Sequence, residues 1–238
     1  INIVLKKSTE NSWNNQLRTS YTQATYPLFN FGNTFNYNKN KISLIASLNR
    51  TTGHTAQFNQ FDIIYPSAST STNLDMKNKE NMISGRLGLD YNVTNNATVG
   101  LLYIGSFENK GISDDGRTLI NDGNGTYTVN KGNAKTTGKN HSINAHYIQK
   151  LDTLGRKLSI DVDYFNFNNS NNRNFSSEQF ITNQSYFEAK NSTHQNIKNY
   201  SAKIDIEHPA QWANFSYGAK TTITKTDGNV AFYNTATD

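Results

Sequence analysis

The chain has 238 residues, of which 34% are apolar, and carries a formal net charge of +5 at pH 7. No run approaches the roughly 20 apolar residues of a transmembrane helix, which argues against helical membrane spans. The absence of cysteine excludes disulfide frameworks and thiolate zinc sites, and the scattered cations mark no face for nucleic acid, which is not an expected partner.

Apolar and polar residues alternate with a period of two in nine stretches, and this alternation predicts β-strands. The predicted strands are residues 13–23, 29–37, 42–48, 81–93, 97–107, 141–150, 156–167, 200–207 and 213–219. The mean hydropathy of −0.72 is compatible with a membrane barrel, because polar residues facing the lumen offset those facing lipid.

The hairpin at residues 81–107 has the most regular alternation. If Val93 pairs with Ala97, the expected cross-strand pairs are Tyr91 with Val99, Leu89 with Leu101 and Leu87 with Tyr103. One face of the hairpin is then apolar across both strands, and the other face carries polar and charged residues. Such a face packs against either a protein core or lipid.

The links between the strands alternate in length. Residues 38–41, 94–96, 151–155 and 208–211 are short, whereas 51–80, 108–139 and 168–196 are long, polar and expected to be loops. Short turns on one side and long loops on the other are typical of outer-membrane barrels, and strands of about ten residues match the 9–11 that cross a bilayer. The prediction is an all-β antiparallel up-and-down meander of about nine long strands, a partial transmembrane β-barrel that forms a curved open sheet.

Two further patterns agree with a barrel wall. Aromatic residues occur at two levels, which predicts the interfacial girdles of a membrane barrel: Tyr37, Tyr91, Tyr147 and Trp212 near the short turns, and Tyr103, Phe107, Tyr164 and Tyr200 near the long segments. The predicted lumen face carries charges of both signs: Arg18, Arg86, Asp90, Asp161, Asp163, Lys203, Asp205, Glu207 and Lys220. Leu102 and Ile104 are also predicted to point inward and to contact a plug or another inward element.

No catalytic signature accompanies this pattern. The five histidines form no HxxxH or HExxH motif, and GxSxG and P-loop motifs are absent, so neither an enzyme nor a metal or cofactor site is predicted. Pairing of Tyr147 with Leu158 would place Ser142 opposite Asp163 and His146 opposite Ser159. Ser142 and His146 would nevertheless lie about 13 Å apart along one strand, too far for a catalytic relay.

The Asp122–Gly125 segment is interpreted as a hairpin turn, with an external calcium ion as an open alternative. It lacks the 12-residue ligand spacing and the closing Glu of a calcium-binding EF-hand loop.

The segment INIVLKK at residues 1–7 resembles the closing plug strand of TonB-dependent outer-membrane receptors. The pattern that follows, including NQFD at residues 59–62, resembles the outer-membrane β-barrel proteins of that superfamily in Bacteroidetes-type bacteria. The resemblance implies a receptor in the outer membrane of a Gram-negative bacterium, with about 22 strands around a plugged lumen. Residues 1–8 would end the plug domain, and residues 9–238 would form the N-terminal portion of the barrel.

This resemblance also implies the partners: outer-membrane lipid, the receptor's own plug and remaining strands, and a TonB-type energy-coupling protein. The expected function is uptake of a nutrient too large for porins. Ligand contact is predicted at Phe58, Phe61 and Tyr65 in the first long segment, because loops on a rigid scaffold carry specificity. Two alternatives stay open: a secreted β-sandwich adhesion or carbohydrate-binding domain, and a complete small outer-membrane barrel.

Overall fold

The computed structural model describes residues 11–66, 68–121, 123–181, 185–210 and 212–235. Within these ranges the chain forms nine strands. They are β1 (Ser12–Gln23), β2 (Pro27–Lys39), β3 (Ile42–Ile64), β4 (Ser69–Asn92), β5 (Ala97–Asn121), β6 (Tyr127–Lys150), β7 (Lys157–Phe180), β8 (Ser185–Pro209) and β9 (Asn214–Asn234). The INIVLKK segment lies outside the described residues.

All nine strands belong to one antiparallel sheet in the order β1 to β9, each pairing with its neighbours in the chain. The predicted meander is therefore confirmed. A β-sandwich requires two packed sheets, so the adhesion-domain alternative is wrong. Among the described residues β1 does not pair with β9, and these strands by themselves form an open sheet.

The predicted register of the central hairpin is confirmed: Tyr91 pairs with Val99, Leu89 with Leu101 and Leu87 with Tyr103. Because side chains alternate across a strand, this register places all six on one face.

The predicted register between β6 and β7 is wrong. Tyr147 pairs with Ile160 rather than with Leu158, so His146 faces Asp161 and Ser142 faces Phe165. The turn is longer than expected because Leu151 N donates to the carbonyl of Arg156. Asp152 stabilises this wider turn by accepting from the backbone N–H groups of Leu154 and Arg156.

The three long polar segments are strands, not loops, which corrects the sequence-based prediction. β3 and β4 remain paired from Ile42 and Tyr91 up to Ile64 and Ser69, and the two following hairpins are equally long. Polar Asn, Ser and Thr side chains replace the apolar alternation there, as expected where a strand extends beyond the apolar band of a membrane barrel. Only the hydrogen-bonded ladder continues, and polarity alone does not reveal it.

The sheet is a wall rather than a packed core. Its buried apolar side chains, within the described residues, are the small ones of Ala97, Ala134 and Ala189. Large apolar residues near the short-turn ends of the strands share one face and are exposed, with Leu87, Leu101 and Val162 each 52 or 53% accessible. In the described part of the chain, no helix is long and apolar enough to span a membrane.

Candidate functional site

The face opposite the exposed Leu and Val residues carries the charges predicted to line the lumen. The ladder aligns Asp90 with Gly100, His146, Asp161, Lys203 and Lys220 in one row across six strands. In the same way, Arg86 faces Ile104, which confirms that Ile104 shares the inward face. This face is the candidate functional surface of the chain.

A histidine–carboxylate contact on this face connects two strands that are not neighbours. His146 on β6 reaches across β5 to Asp90 on β4, with 3.1 Å between Nε2 and Oδ1. Gly100 lies between them, and a Cβ on Gly100 would be only 2.3 Å from either side chain. The missing side chain at position 100 is therefore what lets the pair form.

Hydrogen bonds extend this row toward β8. Asn144 Oδ1 lies 3.1 Å from His146 Nδ1, and Asn144 Nδ2 donates to Asp163 Oδ1 at 2.7 Å. The hydroxyl of Ser201 donates to the other oxygen of Asp163 at 2.9 Å. The result is the hydrogen-bonded wall of mixed charge that the sequence predicts. Ser142 takes no part in a relay with His146, because it faces Phe165.

An apolar patch interrupts the polar wall. Gly88 lies between Ile45 and Leu102, and a Cβ on it would be 2.8 Å from Ile45 Cγ2 and 3.4 Å from Leu102 Cδ1. Ile104 follows on the same face and is 45% accessible. A depression of about 230 Å³ beside the patch is also lined by Arg86.

An ion pair crosses a glycine higher up the wall. Arg173 Nη2 on β7 lies 2.8 Å from Asp114 Oδ2 on β5, and the Asp114 side chain is only 7% accessible. Gly132 on β6 lies between them, and a Cβ there would be 2.4 Å from Asp114 Oδ2 and 2.5 Å from Arg173 Nη2. At two heights of the inner face, a glycine on the middle strand therefore leaves room for a side-chain contact between the two strands that flank it.

Aromatic side chains collect beside this upper pair, a feature that the sequence analysis missed. The ring centroid of Phe175 lies 5.8 Å from that of Phe187 and 6.2 Å from that of Phe232. All three are on the inner face, since Phe175 is the register partner of Ala189 and Gly132. Alternation of Phe175 with its polar neighbours was the available signal, but it lay in a stretch interpreted as a loop.

The predicted ligand contacts do not converge. Phe58 and Phe61 both lie on β3 rather than in a loop. Three residues apart on a strand, they point to opposite faces, with Phe61 on the lumen side. Tyr65 lies in the hairpin tip, where its N–H donates to the carbonyl of Ala68 at 2.7 Å.

The upper aromatic level forms contacts on the lipid-facing side. The ring centroids of Tyr164 and Tyr200 are 5.2 Å apart. Tyr103 lies across Gly105 and its hydroxyl oxygen is 2.8 Å from Nδ1 of His141, which also contacts the edge of Phe107. These contacts have the position and composition of an interfacial girdle.

Among residues 11–66, 68–121, 123–181, 185–210 and 212–235, no group of three His, Cys, Asp or Glu side chains is placed to hold a metal ion. Asp122, the first residue of the possible calcium loop, lies outside these ranges.

Comparison with known proteins agrees with this geometry. Residues 149–238 match the family described as "Outer membrane protein beta-barrel family". No curated protein sequence matches the chain.

Three solved structures align with the chain only loosely. The CymD monoaromatic hydrocarbon channel is 12% identical over 92% of this chain and 76% of its own, with a TM-score of 0.33. Pseudomonas aeruginosa OccK5 is 7% identical over 91% of this chain and 96% of its own, with a TM-score of 0.15. Pseudomonas aeruginosa OccK7 is 8% identical over 92% of this chain and 94% of its own, with a TM-score of 0.13. Similarity at these scores says nothing about substrate. The match over residues 149–238 and the nine-stranded antiparallel meander support an outer-membrane β-barrel wall.

Proposed function

We propose that the chain is part of the wall of a TonB-dependent-type receptor that imports a nutrient too large for porins. The observation that carries this proposal is the apolar patch of Ile45, Leu102 and Ile104 on an otherwise hydrogen-bonded lumen face. Exposing such a patch to a water-filled pore is unfavourable, whereas a plug domain would cover it.

Residues 1–8 are proposed as the last strand of that plug, and residues 9–238 as the N-terminal portion of the barrel. The remaining strands would complete the sheet beyond β1 and β9, because open edges are not tolerated in lipid. A TonB-type protein would supply the energy for transport.

Ligand contact would come from the inner face above the bilayer. Of the three residues predicted from sequence, Phe61 points to the lumen side and Tyr65 lies at the hairpin tip above it, whereas Phe58 points away. Phe61 and Tyr65 are therefore retained as ligand contacts, and Phe58 serves as the matched control for them.

Uptake is tested in the source bacterium by deleting the gene and measuring growth on single nutrients that exceed the porin size limit. The proposal expects a growth defect on at least one of them, rescued by the intact gene only while the energy-coupling protein is present. Rescue that does not depend on energy coupling would refute active uptake.

Plug contact is tested separately with a photo-crosslinking residue at Leu102 or at its neighbour Leu101 in the intact protein. Leu102 should crosslink within the protein, and Leu101, on the opposite face, should crosslink to lipid. Absence of any crosslink from Leu102 to the rest of the protein would show that no plug covers the patch.

A further inference from the structure

The outer face of the sheet changes from apolar to charged within a narrow range of heights, eleven to thirteen residues from the short-turn ends of four strands. Along the lipid-facing side, no charged residue occurs among the apolar positions that follow the short turns. On four strands the first charged side chain above them is a lysine: Lys79 on β4, Lys139 on β6, Lys198 on β8 and Lys225 on β9. These four residues are called the lysine belt.

The belt lies at the height of a bilayer surface. Lys139, Lys198 and Lys225 are each eleven residues from the short-turn end of their strand, at Lys150, Pro209 and Asn214. Eleven residues at ~3.4 Å each and a tilt of ~40° rise about 28 Å, close to the ~25 Å apolar band of a membrane barrel. The belt therefore begins where the hydrocarbon ends.

None of these four lysines takes part in an ion pair within the described part of the chain. Lys198 and Lys225 are direct cross-strand partners, an arrangement that is unfavourable for like charges. Asp227 lies on the same face, two residues above Lys225, and pairs with neither. An external anion between the two ammonium groups would offset their mutual repulsion.

We propose that the lysine belt binds the phosphate groups of anionic lipids in the membrane leaflet beside the long hairpins. Cations next to a membrane surface attract anionic headgroups, and several of them on one level can hold a lipid in a fixed place. This site is on the lipid side of the wall, so it is independent of what passes through the lumen.

The chain contains a matched control for each of two belt residues. Lys131 lies on the same strand and face as Lys139, eight residues farther from the short turn, and Lys190 has the same relation to Lys198. The doubles Lys139→Gln with Lys198→Gln and Lys131→Gln with Lys190→Gln remove equal charge. Only the first alters the belt.

The intact protein, purified in a neutral detergent, is titrated with phosphatidylglycerol or phosphatidylcholine, and bound lipid is counted by native mass spectrometry. The belt double should bind phosphatidylglycerol about ten- to thirty-fold more weakly than the wild type, with phosphatidylcholine binding unchanged. The control double should match the wild type, and excess inorganic phosphate should not displace the lipid.

Three results would overturn the proposal. Equal losses in both doubles would show attraction by overall charge rather than a site, and no loss in either would show that the belt binds no lipid. Displacement by inorganic phosphate would assign the lysines to a soluble anion. Far-ultraviolet circular dichroism of each variant checks that the sheet is intact, and Lys225→Gln alone provides a milder belt variant.

Discussion

Replacing Gly132 by alanine tests whether the Asp114–Arg173 ion pair that crosses this glycine stabilises the upper part of the sheet. Alanine is ordinarily better than glycine inside a strand by roughly 0.5–1 kcal/mol, so propensity alone predicts stabilisation. The structure predicts the opposite sign. The new methyl group would be 2.4 Å from Asp114 Oδ2 and 2.5 Å from Arg173 Nη2, inside the space that the ion pair occupies.

The size of the effect follows from the burial of the pair. Breaking a fully buried ion pair costs about 3–5 kcal/mol, but the Arg173 side chain is 36% accessible and regains water when displaced. Asp114 is almost fully buried, and its Oδ1 already has no partner among the described residues. We therefore expect a loss of about 2 kcal/mol in local stability, after the small gain in propensity is subtracted.

Hydrogen exchange of the intact protein measures this loss where it occurs. Backbone amides of the upper parts of β5, β6 and β7 should exchange about 30-fold faster in Gly132→Ala than in the wild type. Gly111→Ala is the matched control, because a Cβ there meets Lys79 Cβ at 3.5 Å, an ordinary contact. If the backbone amides of the two variants exchanged equally slowly, the ion pair across position 132 would not be the reason for a glycine there.

Three other outcomes follow from the same structure. Gly100→Ala should break the His146–Asp90 contact that crosses it and lower the melting temperature in detergent, although by less than Gly132→Ala, because this contact is more exposed. The Arg156 N–H lowers the pKa of the Asp152 carboxyl below its ordinary 3.8, so its contribution to the turn is present above pH 3.8 and is lost as the pH falls through the lower folded-state pKa; Asp152→Asn should abolish this pH dependence in the exchange of the turn amides. A lipid-phase thiol probe should label Leu89→Cys and spare Arg86→Cys.

Each of these results has a contradicting outcome. Unchanged melting of the Gly100 variant would mean that the wall does not depend on the lower pair. Turn amides of Asp152→Asn that still change with acid would assign the effect to another carboxyl group. Preferential lipid labelling at position 86 would show that the lipid-facing and lumen-facing sides of the sheet are assigned the wrong way round.

The parts of the fold that contact lipid were predictable from sequence, and the parts above it were not. In the hairpin at residues 81–107, one face meets hydrocarbon and the other meets the lumen, so alternation reveals both strand and register. At Thr51–Glu80 both faces are wet, and the pattern that marks a strand is absent although the ladder continues. The β6–β7 register failed for a different reason, because one aspartate side chain widens the turn.

The candidate site divides in the same way. The residues that face the lumen could be predicted from alternation, because odd and even positions of a strand point to opposite faces of the sheet. The partners within that face could not, because Asp90 pairs with His146 across an intervening strand that sequence spacing does not reveal. The glycine at the crossing was visible in the sequence, but its role depends on which residues are opposite it.

The length of the strands connects the wall to its proposed use. β7 has 24 residues, which at ~3.4 Å each and ~40° tilt rise about 60 Å, more than twice the ~25 Å apolar band. Its apolar side chains change faces along the way, from the lipid side at Ile160 and Val162 to the lumen side at Phe167 and Phe175. Beyond the membrane, an apolar side chain on the outer face gains no stabilisation from contact with lipid. Contact with lipid therefore does not explain the aromatic residues on the inner face above the membrane. Under the proposed uptake function, their partner is a solute that approaches the lumen.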